Sequence, residues 1–245
     1  MKQIWMIFLF AAGVAAAEML VEETFDGGSS GGLAHKASFQ SSGTGLSKGW
    51  KAWLPKQAGI VEIADDGLNG RTLVLCGSAD NSKEGAQVMA FLDQPVDFSQ
   101  DETVYVSFLF KNLDRSKFSS DYCQITLKQS AGNITLAGFG MDSDETVMVN
   151  CMKENSTGSK TLKEKAIYRF VAKIECHAGK PDVLSVRAFS PANVTLEEPE
   201  QWDVVLECAA DGMADKLMAV ASFGNSKAMF DEIRIGTTYA DVIAQ

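Results

Sequence analysis

The amino-acid sequence predicts an all-β domain, a two-sheet antiparallel β-sandwich of the jelly-roll type. Apolar residues recur with a period of two over most of the chain, and the apolar segments are short and rich in β-branched and aromatic residues. Clusters of Gly, Asn, Asp and Ser separate these segments. Alternation of this kind is typical of strands that bury one face against a second sheet.

The first 17 residues are predicted to be a secretory signal peptide. Lys2 precedes an apolar run from Ile4 to Val14, and Ala15–Ala17 gives the small-residue pattern of a cleavage site. A membrane anchor is the alternative, but a spanning helix needs roughly 18 or more apolar residues, and this run is shorter. We therefore expect residues 18–245 to form a single domain, secreted or periplasmic, with no stable membrane anchor after cleavage.

Residues 103–110 show the alternation most clearly, because Val104, Val106, Phe108 and Phe110 share one face of the segment TVYVSFLF. Similar segments are predicted as strands, in chain order, at Ile60–Ala64, Thr72–Cys76, Ala86–Phe91, Gln124–Gln129, Ile134–Phe139, Thr146–Asn150, Ile167–Glu175, Val183–Phe189, Asp203–Glu207 and Met229–Ile235.

Three further segments show weaker patterns. Asp215–Ala221 fits either two helical turns or one more strand, and Ser159–Glu164 is predicted to be a loop. Asp26–Gly32 is rich in Gly and Ser and is predicted to be a surface loop, because no Lys-Ser/Thr pair or helix follows it as in a phosphate-binding loop.

The net charge of −10 argues against nucleic acid as a partner, because an acidic surface repels a phosphate backbone. A neutral polysaccharide, a cation or a protein is compatible with this charge. The chain has five cysteines and no C-x-x-C pair, so a zinc site is not expected. Mostly buried thiols, with at most one disulfide, are expected among Cys76, Cys123, Cys151, Cys176 and Cys208, and the sequence does not fix a pairing.

Five segments resemble, in their order along the chain, a group of exported bacterial proteins. They are VEETFDG (Val21–Gly27), GWKAW (Gly49–Trp53), DGLNGRTLVL (Asp66–Leu75), TVYVSFLFK (Thr103–Lys111) and SKAMFDEIRIGTTYADV (Ser226–Val242). This group belongs to the concanavalin A-like lectin/glucanase superfamily and is LamG-like. The resemblance implies a jelly roll whose first and last strands pair. Members of the superfamily include sugar-binding modules, glycosidases, lyases and adhesion domains, so the resemblance indicates the fold better than the activity.

Asp231 raises a question in the last predicted strand. Strict alternation would place Met229, Asp231, Ile233 and Ile235 on one inward face, and a buried carboxylate needs a partner. Asp231 could cap backbone N–H groups of a neighbouring loop, or bind a structural Ca²⁺ together with Asp26, or face water. Related jelly rolls carry such a cation, so the resemblance implies calcium as a possible cofactor; no other cofactor is expected.

Catalysis is not expected, and we assign no catalytic residue. Glycosidases of the superfamily carry the pattern E-x-D-x-x-E, which puts carboxylates on one face of a strand, and this pattern does not occur here. Related lyases use a Gln-x-His pair, and Gln124-Ile125-Thr126 lacks the histidine. The two histidines, His35 and His177, have no sequence neighbour that would indicate a triad.

Trp50, Trp53 and Tyr122 are predicted to stack on sugar rings, with packing in the core as the alternative for the two tryptophans. The sequence therefore predicts an exported, non-catalytic module that binds a polysaccharide or a cell-surface glycan. A glycoside hydrolase or polysaccharide lyase on the same fold, and an envelope or matrix structural protein, are the alternatives.

Overall fold

The structure is a computed structural model. It describes residues 17–27, 30–34, 36–53, 60–65, 68–77, 85–114, 122–222 and 227–244, with the side chains of Lys48, Trp53 and Asp114 outside the description. The predicted signal peptide lies outside the described residues except for Ala17. Within the described ranges, no helix is both long enough and apolar enough to cross a membrane.

Short strands make up most of the described chain. In chain order they are β1 (Met19–Glu23), β2 (Gly31–Gly32), β3 (Ser38–Phe39), β4 (Leu46–Trp53), β5 (Ile60–Ala64), β6 (Thr72–Cys76), β7 (Ala86–Asp97), β8 (Glu102–Asp114), β9 (Tyr122–Gln129), β10 (Ile134–Asp142), β11 (Thr146–Cys151), β12 (Glu154–Thr161), β13 (Ile167–Cys176), β14 (Asp182–Phe189), β15 (Val204–Cys208), β16 (Met213–Ala221) and β17 (Lys227–Gly236). Two 3-10 turns, Ala131–Asn133 and Pro191–Asn193, and one short helix, α1 (Tyr239–Ile243), complete the elements.

The described strands form two antiparallel sheets. Sheet I has the order β15-β14-β13-β8-β17-β6-β5-β2, with β1 paired to β17, and sheet II has the order β12-β11-β10-β9-β16-β7-β4-β3. This confirms the predicted all-β sandwich. A continuous apolar core lies between the sheets and includes the ring pair Phe108 and Phe170, whose centroids are 5.0 Å apart. Burying each large side chain stabilises the fold by about 1.5–3 kcal/mol.

The first and last strands pair, as predicted from the resemblance. β1 runs antiparallel to β17, with Val21 opposite Ile235 and Glu23 opposite Ile233. Helix α1 then packs on the outer face of sheet I, where Tyr239 contacts Tyr105. The chain ends are therefore joined to one another in the middle of sheet I.

Two segments with weak sequence patterns contain strand in the structure. Asp215–Ala221 is part of strand β16, so the strand alternative was correct. The predicted loop at Ser159–Glu164 is wrong in its first half, because β12 continues to Thr161 as a polar edge strand paired with β11. Helix α1 was not predicted, although Thr238 and Asp241 form a capping box at its start.

A β-bulge interrupts the last strand. The register of β17 against β8 shifts between Asp231 and Arg234, and Glu232 has a positive φ of 44°. Phe230 faces the core before the bulge and Ile233 faces it after the bulge, so one extra residue changes the phase of the alternation. The predicted inward face that joined Asp231 to Ile233 is therefore wrong, and Asp231 lies on the outer side of sheet I, opposite Leu109.

No disulfide joins any of the five cysteines in the structure. Cys76 is half-buried, and the other four are buried. The strand-end cysteines thus act mostly as small buried apolar side chains, as predicted, and the one bridge that the prediction allowed does not form among these five residues.

Candidate functional site

Strand β9 places a line of polar side chains on the face of sheet II that is turned away from the core. Ile125 and Leu127 pack in the core, and side chains alternate along a strand. The outer side chains are therefore those of Tyr122, Gln124, Thr126 and Lys128, which we call the polar row.

The polar row lies at the bottom of this face. Gln124 is 3% exposed, Thr126 1% and Lys128 7%, although polar side chains on an outer face are usually solvated. Residues farther out on the same face, such as Gln87 and Asn150, are half-buried. The face is thus deepest over β9 and shallower on either side.

Glycines make room beside the polar row. Gly138 lies opposite Thr126 and Gly140 lies opposite Gln124 in the β9–β10 pair. A Cβ atom built at Gly138 would be 2.9 Å from Gln124 Oε1 and 3.3 Å from Asn150 Oδ1. Two amide oxygens from neighbouring strands therefore converge over a residue that has no side chain.

Both amide oxygens lack a partner. Within the described residues, neither Gln124 Oε1 nor Asn150 Oδ1 has a hydrogen-bond donor, although both atoms are buried. An unsatisfied buried acceptor costs about 1–3 kcal/mol, and such groups in a native structure call for an explanation, such as a bound molecule. The arrangement can accept hydrogen bonds from two hydroxyl groups of a ligand.

Two lysines form the other end of the site. Lys128 of β9 lies directly opposite Lys216 of β16, and both are buried. No carboxylate among the described side chains forms an ion pair with either of them. Burial, followed by the charge of Lys216, lowers the pKa of Lys128, and like charges opposed across two strands are destabilising. The pair therefore attracts an anion.

Tyr122 begins the polar row at the opposite end from Lys128. Its backbone N–H donates to Ser222 Oγ at 3.2 Å and its carbonyl accepts from Ser222 N–H at 2.8 Å, which fixes the start of β9. Burial raises the pKa of Tyr122, so its phenol stays protonated at neutral pH. The predicted stacking residue Tyr122 thus lies in a strand, on the same face as Gln124 and Lys128.

Solved structures with the same arrangement of sheets include enzymes and binding proteins. The chain is similar to an endo-β-1,4-glucuronan lyase from the fungus Trichoderma reesei, with a TM-score of 0.56 and 14% identity over 82% of this chain and 97% of the lyase. It is similar to the cellulose-induced protein Cip1, with a TM-score of 0.53 and 13% identity over 77% and 91% of the two chains. The globular domain of T. cruzi calreticulin gives a TM-score of 0.53 and 14% identity over 92% and 90%.

These matches cover most of both chains and decide the architecture. The chain has a concanavalin A-like fold. No known protein family matches it by sequence, and no curated protein does so either. Identities of 13–14% establish the fold alone, and they do not transfer a binding site or an activity to this concanavalin A-like sandwich.

Trp50 belongs to the core of the concanavalin A-like fold. It is fully buried, its ring stacks on Phe39 at 6.3 Å, and its Nε1–H donates to Glu23 Oε2 at 2.8 Å. A ring without exposed surface has no face to offer a sugar, so the structure supports the alternative of core packing for Trp50. The side chain of Trp53 lies outside the described residues.

Glu23 is a buried carboxylate that the sequence analysis missed. It is fully buried and accepts hydrogen bonds from Trp50 Nε1, Phe25 N–H and the hydroxyls of Ser41 and Ser42. These donors come from the residues just after β1, from the segment before β4 and from β4 itself, so Glu23, the last residue of β1, ties the first strand to sheet II.

Asp26 and Asp231, the predicted calcium ligands, both bind the turn between β5 and β6. Asp26 Oδ1 accepts from Arg71 N–H at 3.1 Å, and Asp231 Oδ2 accepts from Asn69 N–H and Thr72 Oγ, each at 3.2 Å. A backbone N–H cannot coordinate a cation, and each carboxylate accepts a hydrogen bond from such a group. The donor set therefore favours the capping alternative, and the described residues contain no group of three or more His, Cys, Asp or Glu side chains that could hold a metal ion.

The residues of the polar row could have been found from one signal in the sequence. Segment QITLK (Gln124–Lys128) alternates polar and apolar residues, and segment DKLMAV (Asp215–Val220) carries a second lysine. Only the pairing of β9 with β16 brings Lys128 and Lys216 together, and pairing between distant strands cannot be deduced from local alternation.

Proposed function

We propose that this chain binds an acidic polysaccharide on the outer face of sheet II, over the polar row, and that it does so after export from the cytoplasm. The observation that carries the proposal is the opposed pair Lys128 and Lys216, two buried cations that form no ion pair with a carboxylate among the described side chains. A carboxylate of a uronic acid would neutralise this pair and remove the repulsion between the two ammonium groups.

The remaining groups of the site suit a sugar chain. Gln124 Oε1 and Asn150 Oδ1 accept hydrogen bonds, and sugar hydroxyls donate them. Tyr122 supplies an aromatic ring for the apolar face of a pyranose. The glycines of β10 let a flat ring approach the sheet between these groups.

The names of the structural neighbours agree with this class of ligand. The glucuronan lyase acts, by its name, on a polymer of glucuronic acid. Other chains with the fold include a sialidase and a botulinum neurotoxin that interacts with gangliosides. These names include acidic glycans and, for Cip1, neutral cellulose, so it is the opposed lysine pair that favours a charged glycan.

Affinity electrophoresis through gels that contain polyglucuronate, alginate or neutral hydroxyethyl cellulose tests the proposal. We expect the two acidic polymers to retard the protein and added salt to weaken the retardation. The variant K128Q/K216Q should lose at least about tenfold in affinity, as expected for the loss of charge-assisted hydrogen bonds. K180Q, in the exposed turn between β13 and β14, is the matched control and should bind normally. Equal retention by the neutral polymer, or unchanged binding by K128Q/K216Q, would contradict the proposal.

Cleavage of the bound chain by β-elimination is a second candidate function. The specific observation in its favour is the lowered pKa of Lys128, since a lysine that loses its proton more easily can act as a base. In that reaction Lys128 takes the proton from C5 of the uronate, and Lys216, directly opposite, can donate a proton to the leaving oxygen. Such a reaction leaves an unsaturated uronate whose ultraviolet absorbance grows with time, whereas a binding module gives none. Retention on no polymer of a broad panel would instead favour a structural role.

A further inference from the structure

A cavity lies on the outer face of sheet I, at the bulge of β17. It has a volume of about 320 Å³ and is enclosed by side chains from β8, β13 and β17 and by the turn between β5 and β6. Ligand pockets in proteins span roughly 300–1,000 Å³, so the cavity matches a ligand about as large as one sugar ring.

The cavity has a charged, buried floor and an open rim. Leu109, Arg169, Glu232 and Arg234 are all buried, whereas Asn69 at the rim is exposed. The side chains on the floor are thus shielded from bulk water, while the opening admits a solute. Shielding of this kind strengthens any ionic hydrogen bond made inside the cavity.

Arg169 has an unused donor on this floor. One of its guanidinium nitrogens, Nη2, donates to Glu232 Oε2. Its Nη1 has no hydrogen-bond partner within the described residues, although the atom is buried and Arg169 as a whole is only 6% exposed. A buried guanidinium N–H without an acceptor is costly, so the observation points to a missing acceptor at this place.

The bulge places the Glu232 carboxylate where it bonds Nη2 of Arg169 and not Nη1. Glu232 has φ of 44°, a left-handed conformation that non-glycine residues rarely adopt. Its carboxylate is held by Arg169 and by Asn69 Nδ2, which donates to Oε1 at 2.6 Å. Burial raises the pKa of Glu232, but the hydrogen bonds from Arg169 and Asn69 outweigh burial, so the pKa is lowered and the group stays ionised. Strained residues of this kind cluster at ligand sites.

The charges and the shape of the cavity define the class of ligand. Two guanidinium groups, of Arg169 and Arg234, line the cavity with one carboxylate, of Glu232. Arg234 also has Glu22 at 3.3 Å as an ionic partner outside the cavity lining. An acceptor with negative charge fits Arg169 Nη1 best, because a carboxylate matches the geometry of guanidinium donors. Leu109 and Ile167 supply an apolar wall for a carbon skeleton.

We propose that this cavity binds a small organic carboxylate, about one sugar ring in size, whose carboxylate accepts a hydrogen bond from Arg169 Nη1. The site is on the opposite sheet from the polar row, so the inference is independent of the proposed polysaccharide site. The rest of the molecule would lie along Leu109 and Ile167, with its polar groups toward Asn69 at the rim.

Titration calorimetry of the whole protein with glucuronate and with cyclohexanecarboxylate tests the inference. Glucuronamide and cyclohexanecarboxamide are the neutral counterparts with nearly the same shape. We expect at least one of the two carboxylates to bind, and its amide to bind at least about tenfold more weakly. Failure of both carboxylates to bind, or equal binding of a carboxylate and its amide, would overturn the proposal.

Variants locate the site. R169Q/E232Q removes both members of the ion pair together, so that neither charge is left buried alone, and it should lose binding. I167W should fill the cavity from its half-buried wall without removing a charge, and it should lose binding too, even if the double variant fails to fold. R187Q, on β14 outside the cavity, should bind normally, and all these variants are compared in the K128Q/K216Q background, which removes uronate binding at the polar row. Carboxylate binding that survives I167W would place the ligand elsewhere and overturn the proposal.

Discussion

Asp231 accepts a hydrogen bond from the backbone N–H of Asn69 at 3.2 Å, across the seam between the last strand and the β5–β6 turn. Asp26, near the start of the chain, binds the same turn through Arg71 N–H at 3.1 Å. Both ends of the domain thus hold one turn, and the backbone donors of that turn explain why a carboxylate is tolerated at a fully buried position.

Asp231 should make the stability of the protein depend on pH. Burial raises the pKa of Asp231 to about 7 from its ordinary value near 3.8, although hydrogen bonds from Glu232, Asn69 and Thr72 oppose the rise. The folded state therefore binds a proton more tightly than the unfolded state. The contribution of this group to the free energy of unfolding is full below about pH 4 and falls as the pH rises toward 7, by at most ~1.4 kcal/mol per pH unit.

The variant D231N removes this titration. At about pH 4 it should be less stable than the wild type by about 1–3 kcal/mol, because its amide group faces N–H and O–H donors. The difference should shrink as the pH rises, since only the wild type loses stability through Asp231. Urea unfolding across this pH range measures both curves, with D211N at an exposed position as the control. Parallel curves for wild type and D231N would refute the assignment.

Glu23 should contribute strongly to stability, without a role in any ligand site. Its two oxygens accept from Trp50 Nε1, Phe25 N–H and the hydroxyls of Ser41 and Ser42. In E23Q the amide nitrogen would face donors, so we expect a loss of about 3 kcal/mol in the free energy of unfolding. The exposed E207Q on β15 should change it by less than ~0.5 kcal/mol. If the two variants unfold at the same urea concentration, the hydrogen bonds of Glu23 do not contribute to the free energy of unfolding as proposed.

Much of the fold could be predicted from alternation, because most strands bury one face and expose the other. Thr103–Phe110 is a clear case, and its apolar positions do face the core. The prediction failed at β17, where the bulge at Glu232 changes the phase between Phe230 and Ile233. A bulge has no strong sequence signal here, since the residue with positive φ is a glutamate and not a glycine.

The candidate sites were harder to predict because they form between strands that are distant in sequence. Tyr122 was proposed from its residue type, and the structure places it on the same face of β9 as Gln124 and Lys128. Lys216 joins them only through the β9–β16 pair. Trp50 was proposed on the same chemical grounds as Tyr122, but its Nε1–H bonds the buried Glu23, which a search for exposed aromatic residues could not reveal.

Lys128 should oppose folding while it supports ligand binding. It lies opposite Lys216 and forms no ion pair among the described side chains, so replacing it by an apolar side chain of similar length removes a like-charge contact. We expect K128M to raise the free energy of unfolding by roughly 0.5–1 kcal/mol and to lose retention on polyglucuronate. Urea unfolding and affinity electrophoresis of the same preparation check the two effects. A variant that is both less stable and still retained would contradict the assignment of Lys128 to the binding site.

Two glycines of β10 allow binding and folding to be separated. A Cβ at Gly138 would lie 2.9 Å from Gln124 Oε1 and 3.3 Å from Asn150 Oδ1, which are side-chain atoms that can move by a few tenths of an ångström. A Cβ at Gly140 would instead overlap the backbone carbonyl of Cys123, which is fixed in the sheet. We expect G138A to fold with a loss of about 1 kcal/mol and G140A to lose about 3 kcal/mol or more.

The two glycine variants should affect binding in the opposite order, because G138A should weaken ligand binding more than G140A does. G138A places a methyl group between the two unpartnered amide oxygens, where a ligand hydroxyl would sit, so its retention on polyglucuronate should fall by at least about tenfold. G140A, where it folds at low temperature, keeps both oxygens accessible and should retain more affinity than G138A. Electrophoresis at a temperature where both variants are folded by circular dichroism makes the comparison. Full affinity in G138A would mean that the ligand does not reach Gln124 and Asn150, because no sugar hydroxyl could approach both oxygens past the added methyl group.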